Sequence, residues 1–301
     1  MPKIIEINKL EKLIEWHDKL GEYRDKWIFR GEKYNEDETK SLKTTLENAF
    51  EKLGGHSPEH KRDAEKDVIR EFQRKLHLYE NNVPARPDIL QWLALMQHHG
   101  APTRLLDWTY SFWVAVHFAI DRRKPCEKSA VWAVNATQIV RHYTSKKTDF
   151  EQNPKYQEIL EKINRHNDLP YCDPDAIIDN AVTLFAFEFP QLMVFASSSF
   201  RQNQRLTLQQ GTFLITGDVT QSFRSNLYST LVPDNEEHVQ LIVIDVTRNL
   251  KEGILKMLRR MNINNAVLFP DLDGFCESLW TRVGLSLIDK LLVESKDLIL
   301  Y

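Results

Sequence analysis

The chain has 301 residues, a formal net charge of -3, 42% hydrophobic residues and 28% charged residues. That balance describes a globular protein, with none of the basic excess that a dedicated nucleic-acid binder carries, so nucleic acid is not a favoured partner. No apolar run approaches the roughly 20 residues that span a bilayer, and three widely spaced cysteines, Cys126, Cys172 and Cys276, argue against a disulfide framework, so a cytoplasmic protein with no membrane partner is expected.

The first segment, "MPKIIEINKLEKLIEWHDKL", repeats its apolar positions at helical spacing and breaks them with charges. This predicts an amphipathic helix over residues 6–20 and not a signal peptide. "KWIFRG" predicts a short strand ending at Gly31, and Glu32 to Glu38 a surface loop. Two polar helices are expected near residues 41–53 and 60–80. "NNVPARPD" is expected to be a loop, because each proline restrains itself and the residue before it. Asp88 is suited to N-cap a helix running to His99, with Gly100 as its C-terminal stop.

"QHHGAPTRLLDW", Gln97 to Trp108, then interrupts two apolar flanks. It reads as a rigid polar turn between buried helices, with Pro102 holding Ala101 extended and Leu105 and Leu106 pinning the turn to the core. Asp107 or Thr109 is placed to N-cap the next helix, expected over 110–121 and apolar on nearly every face. "SAVWAVN" predicts a strand. Residues 140–180 are polar and irregular and read as an insertion, a rim or lid around one helix. "TLFAFEFP", "QLMVFASSS" and "GTFLITG" alternate between strand-like and loop-like pieces. "VQLIVIDV" predicts a strand, "NLKEGILKMLRRM" a helix, "NNAVLFPD" a strand ending in a polar turn, and 274–300 a mostly helical tail. The class expected is α+β, with a small mixed sheet or sheets and several packed helices. Neither GxGxxG nor GxxxxGK[ST] occurs, so a standard dinucleotide or nucleoside-triphosphate fold has no motif support.

Several residues could carry chemistry. Arg30 stands at a strand end, where a guanidinium can clamp phosphate or carboxylate, and Gly31 lets a backbone or ligand approach; a structural Arg–Asp pair is the alternative. Thr103, Arg104, Asp107 and Trp108 sit at the rigid junction, as a pocket floor or as architecture. Adjacent histidines point about 100° apart on a helix, so His98 and His99 do not chelate; His99 is assigned a hydrogen-bonding role and no metal site is expected. Arg201 and Arg205 precede "QQG", where Gln209 and Gln210 could read an amide, a base edge or a ribose, or simply cover a hairpin. Asp271 and Asp273 could orient a polar group, pair with Arg30 or Arg104, or cap a helix with Asp273 as the N-cap.

"FRG" at Phe29–Gly31, "LMQHHGAPTRLLDWTYSFWVAVHFA" at Leu95–Ala119, "RLTLQQGTF" at Arg205–Phe213 and "VLFPDLDG" at Val267–Gly274 occur in an order that resembles the FRG-domain family. The resemblance runs from about residue 20 to 285. It implies a single domain with an N-terminal helix and an insertion at 140–180, found mainly in bacteria and phages. It also implies one site, made of Arg30, His99, Thr103, Arg104, Asp107, Gln210 and Asp271, without selecting a reaction. The pattern is further similar to NAD-dependent ADP-ribosyltransferases, with Arg30-Gly31 on an early strand and "VHFA" near a "YFA"-like segment. That likeness implies NAD as the ligand, with Arg30, Arg104, Asp107 and Gln210 as the catalytic set and Gly31, His99, Thr103, Trp108, Arg205, Asp271 and Asp273 around the ligand. The late-strand Glu of that pattern is replaced by "QQG", which removes the group that holds the ribose 2′-hydroxyl and stabilises the cationic transition state; a distant acid such as Glu188 or Asp271 would have to substitute. A non-catalytic ligand-sensing or protein-interaction module, in bacterial or phage defence, is the other reading.

Overall fold

Seven short runs rich in β-branched and aromatic residues pair into one sheet in the computed structural model. The structure describes residues 2–20, 26–37, 40–54, 57–85, 88–120, 127–165, 187–197, 203–231 and 238–283. The strands are β1 (Lys3–Ile7), β2 (Trp27–Lys33), β3 (Leu105–Thr109), β4 (Lys128–Asn135), β5 (Val194–Ser197), β6 (Gly211–Thr216) and β7 (Val239–Asp245). They lie in the order β1-β7-β4-β2-β3-β6-β5. Only β1 and β7 run parallel; every other pair is antiparallel. The class is α+β, as expected, and the described strands form a single mixed sheet.

Helices cover both faces, which is why β4 and β6 are buried along nearly their whole length. On one face, α1 (Leu10–Lys19), α5 (Phe112–Ala119) and α10 (Arg248–Arg260) pack over β2, β4 and β7. Beside them, α3 (Pro58–Lys75) and α4 (Ile89–His98) pack over β3, β5 and β6. The opposite face lies under α6 (Ala136–Glu151) and α9 (Phe223–Leu231). The remaining helices are α2 (Thr45–Leu53), α7 (Pro154–Arg165), α8 (Gln204–Leu208), α11 (Asn265–Leu268) and α12 over 272–283. Among the described residues no helix is long and apolar enough to cross a membrane.

Several expectations change. The first segment is a strand followed by a helix, because Lys3–Ile7 completes the edge of the sheet against β7. In 140–180, the described part is helical, α6 and α7; residues 166–186 lie outside the described residues, and with them the first half of "TLFAFEFP", as does all of 284–301. "NNAVLFPD" is not a strand: Asn264 accepts from Val267 N–H and caps the short helix α11.

The junction after α4 differs most. Asp88 caps α4 through Gln91 N–H at 3.2 Å, as expected. Gly100 ends it at φ 76°, a left-handed conformation natural to glycine. Gly100 N–H bonds Gln97 O and Ala101 N–H bonds Met96 O, closing a Schellman motif. Beyond it the chain runs as a strand, not a turn: Leu105–Thr109 is β3, paired with β6 from Leu105↔Ile215 to Thr109↔Gly211. Leu105 and Leu106 point to opposite faces and are both buried. Neither Asp107 nor Thr109 caps α5; Ser111 does, accepting from Val114 N–H.

Candidate functional site

The sheet comes apart between β2 and β3. On its other side β2 pairs with β4 along seven residues, but with β3 it shares one register pair, Phe29↔Thr109. Continuing that register would set Gly31 against Asp107, and there the strands have separated. A cleft of about 740 Å³ opens at this split, bordered by Phe29, Arg30 and Gly31 on one strand and Asp107, Trp108 and Thr109 on the other.

The split leaves main-chain groups that need partners. Arg30 supplies one: its Nη1 donates to the Asp107 carbonyl at 2.7 Å. Its Nε lies 3.8 Å from Glu32 Oε2. Its Nε is buried with no hydrogen-bond partner, its Nη2 has none among the described residues, and the half-buried side chain lines the cleft. Gly31 is explained by packing: a Cβ there would lie 1.9 Å from the Ala115 carbonyl oxygen and 2.6 Å from Ala119 N. The Phe29-Arg30-Gly31 run therefore buries its Phe beneath α5, sends its Arg to the cleft and keeps its Gly for the crossing of α5.

Asp107 is exposed to the cleft, and its carboxylate is held from behind. Gln97, on the last turn of α4, donates from Nε2 to Asp107 Oδ2 at 2.9 Å. Gln97 Oε1 in turn accepts from the buried Thr103 hydroxyl at 2.6 Å. Asp107 Oδ1 has no partner among the described residues.

The far wall comes from α8, α11 and the start of α12. The Arg205 guanidinium lies 4.4 Å from the centre of the Phe269 ring, and Phe118 meets the same ring edge-on at 6.1 Å. Gln209 lines the cleft with its Nε2 donating to Leu268 O at 2.9 Å, while Thr109 Oγ1 donates to Gln209 O at 2.7 Å. Asp271 accepts from Gly274 N–H at 2.7 Å and is the N-cap of α12, a place expected from the sequence for Asp273. Both acids border the cleft, with Glu277 one turn further on. His98 lies here too: burial pushes its imidazolium pKa down, the His99 and Arg205 charges push the same way, and Asp271 opposes them. Among the described residues no group of three or more His, Cys, Asp or Glu is arranged to hold a metal ion.

Residues 25–128 match the family model described as FRG domain. The chain carries an FRG domain. No curated protein and no solved structure matches the chain. The matched FRG segment contains β2, α2 to α5 and β3, and so supplies Arg30, Gly31, Gln97, His98 and Asp107; Arg205, Gln209, Phe269 and Asp271 come from the chain beyond it.

The cleft gathers Arg30, Gly31, Asp107, Arg205, Asp271 and Asp273 from the residues singled out by sequence. Four others stand elsewhere. Arg104 is 2% exposed and forms a two-pronged pair with Glu65 of α3, itself 2% exposed. Its Nη1 donates to Thr216 O, and its guanidinium lies 3.8 Å from the Phe187 ring centre. It is a buried tie between α3 and the sheet, not a cleft group. Thr103 is also buried and reaches the cleft only through Gln97. Gln210 sits at φ 48° with its side chain outside the cleft lining; Gln209 takes that place. His99 is exposed and outside the lining, and His98 takes its place. Trp108 borders the cleft, but its indole is 3% exposed and belongs to the core on the opposite face, with Ile28, Leu106 and Leu214. Gln97, Asn203, Asn265, Phe118 and Phe269 are cleft residues that the sequence did not single out. For Gln97 a signal existed: it stands two turns after Asp88 on a helix whose last turn must face the junction.

Proposed function

We propose that the cleft binds a nucleotide of the NAD type and transfers its ADP-ribosyl group. The observation that carries this reading is the pairing of a donor and an acceptor at the sheet split: Arg30 and Asp107 border the same cleft, and Arg30 Nη2 and Asp107 Oδ1 have no partners among the described residues. The volume falls in the range of roughly 300–1,000 Å³ typical of small-molecule sites. Arg30 suits the pyrophosphate, since a guanidinium donates to phosphate oxygens in a fixed fork. The Phe118 and Phe269 rings, with Arg205 over the latter, suit a planar base. In the transfer, the bond between ribose C1′ and nicotinamide breaks and nicotinamide leaves neutral. The acceptor nucleophile bonds to C1′ and gives up a proton to a carboxylate. Asp107 is assigned the part of stabilising the positive charge that develops at C1′. Of the substitute acids read from sequence, Asp271 borders the cleft, whereas Glu188 lies 3.8 Å from Lys66 and outside the lining.

One observation favours a non-catalytic sensing module instead. The "QQG" position offers Gln209, whose amide donates to Leu268 O, and no carboxylate. Incubation with NAD separates the two readings. The transfer reading expects release of nicotinamide, lost in Asp107→Ala; binding of NAD with no nicotinamide released supports the sensing module, and no binding rejects both.

A further inference from the structure

The chain of hydrogen bonds behind Asp107 has only one possible direction. Leu105 N–H donates to Thr103 Oγ1 at 3.2 Å. A hydroxyl has one proton, so that of Thr103 goes to Gln97 Oε1 at 2.6 Å. The Gln97 amide is thereby oriented with its NH₂ outward, and it donates to Asp107 Oδ2 at 2.9 Å. An ionised carboxylate only accepts, so both ends of the chain demand the same orientation of the amide. Thr103 is itself fixed: its N–H donates to Thr45 Oγ1 at 2.9 Å, and its carbonyl accepts from Leu46 N–H. A buried main-chain anchor thus sets which carboxylate oxygen is engaged, Oδ2, and which is presented to the cleft, Oδ1.

We propose that Thr103 and Gln97 are positioning residues for Asp107, and that the presented Oδ1 selects a ligand sugar by accepting from its hydroxyl. The inference rests on the nucleotide reading of the cleft and deepens it. A fixed acceptor-only oxygen rewards a free hydroxyl, and a ligand without the sugar leaves it to water. The site therefore distinguishes ADP-ribose from ADP, which ends in a free phosphate where ADP-ribose carries the terminal ribose.

The test compares the affinities of ADP and ADP-ribose by calorimetry. A hydrogen bond to a charged group is worth about ten- to a hundredfold in affinity, and the wild type is expected to prefer ADP-ribose by that factor. Thr103→Val and Gln97→Leu should bring the preference close to one, with the loss confined to ADP-ribose. Thr103→Ser, which keeps the hydroxyl, should restore it; a role in packing alone predicts no such rescue. Gln97→Glu sets two carboxyl groups together, so its preference should be low at neutral pH and recover as the pH falls and the pair takes up a proton. ADP binding without any preference for ADP-ribose in the wild type overturns the inference and leaves the nucleotide reading standing. An undiminished preference in Thr103→Val and Gln97→Leu overturns the relay. Failure of both ligands to bind overturns the nucleotide reading and the selection with it.

Discussion

Arg30 donates from Nη1 to the main-chain carbonyl of Asp107 at 2.7 Å, across the point where β2 and β3 part. A side chain does there what the next rung of the ladder would have done, and the strands are free to separate. The cleft is the result of that separation, and the same two residues line it.

Arg30→Ala should weaken ADP binding about ten- to a hundredfold, the loss of a charge-assisted hydrogen bond. Arg30→Lys should recover only part of it, since an ammonium keeps the charge without the fork. Because the Asp107 carbonyl at the split can turn to water, stability should fall by only about 1 kcal/mol in urea denaturation. Equal affinities for the wild type and both variants would remove Arg30 from the site.

Arg104 should behave in the opposite way. It and Glu65 form a fully buried pair, and removing one partner strands a charge. Arg104→Ala and Glu65→Ala should each cost about 3–5 kcal/mol, and the double replacement Arg104→Met with Glu65→Leu much less. Urea denaturation measures this. A variant of Arg104 that keeps its stability but loses nucleotide affinity would return Arg104 to the site.

Gly31→Ala tests packing and not chemistry. The added methyl meets the main chain of α5 at Ala115 and Ala119, which cannot swing aside as a flexible side chain would. A loss of at least about 2 kcal/mol is expected. A variant as stable as the wild type would show that α5 does not cross β2 so closely.

His98 should titrate below the ordinary histidine range, because burial disfavours its charged form and Arg205 adds to that effect. Since the folded pKa is lowered, the unfolded chain takes up this proton first. The contribution to stability is complete above the unfolded value and is lost as pH falls through it towards the folded one. Asp271→Asn should push the His98 pKa lower still, and Arg205→Ala should raise it. NMR titration of the imidazole reads both, and shifts of the reverse sign would separate His98 from these neighbours.

Much of the fold was legible where local signals and burial agree. Asp88 and Gly100 bounded α4 because capping and left-handed backbone are local properties. "SAVWAVN" and "VQLIVIDV" announced the central strands β4 and β7. β3 was hidden because it is only five residues long and comes soon after Gly100 and Pro102, with the polar Asp107 and Thr109 among its five residues, so the run resembles a polar turn. Its strand character comes from β6, about a hundred residues later. Arg104 was misplaced for the same reason: nothing local announces Glu65, a lone buried acid on a largely polar helix. The histidine and glutamine assignments each missed by one position. Which of two neighbours faces a cleft depends on the last turn of a helix, α4 for His98 and α8 for Gln209, and helix ends are set by their caps.

The central claim is that Arg30 and Asp107 together hold a nucleotide at the β2–β3 split, and calorimetry with ADP-ribose on the wild type, Arg30→Ala and Asp107→Ala tests it most directly. The account predicts binding by the wild type, weakened at least about tenfold in each variant. Absence of binding by the wild type, or affinities untouched by both substitutions, would contradict it.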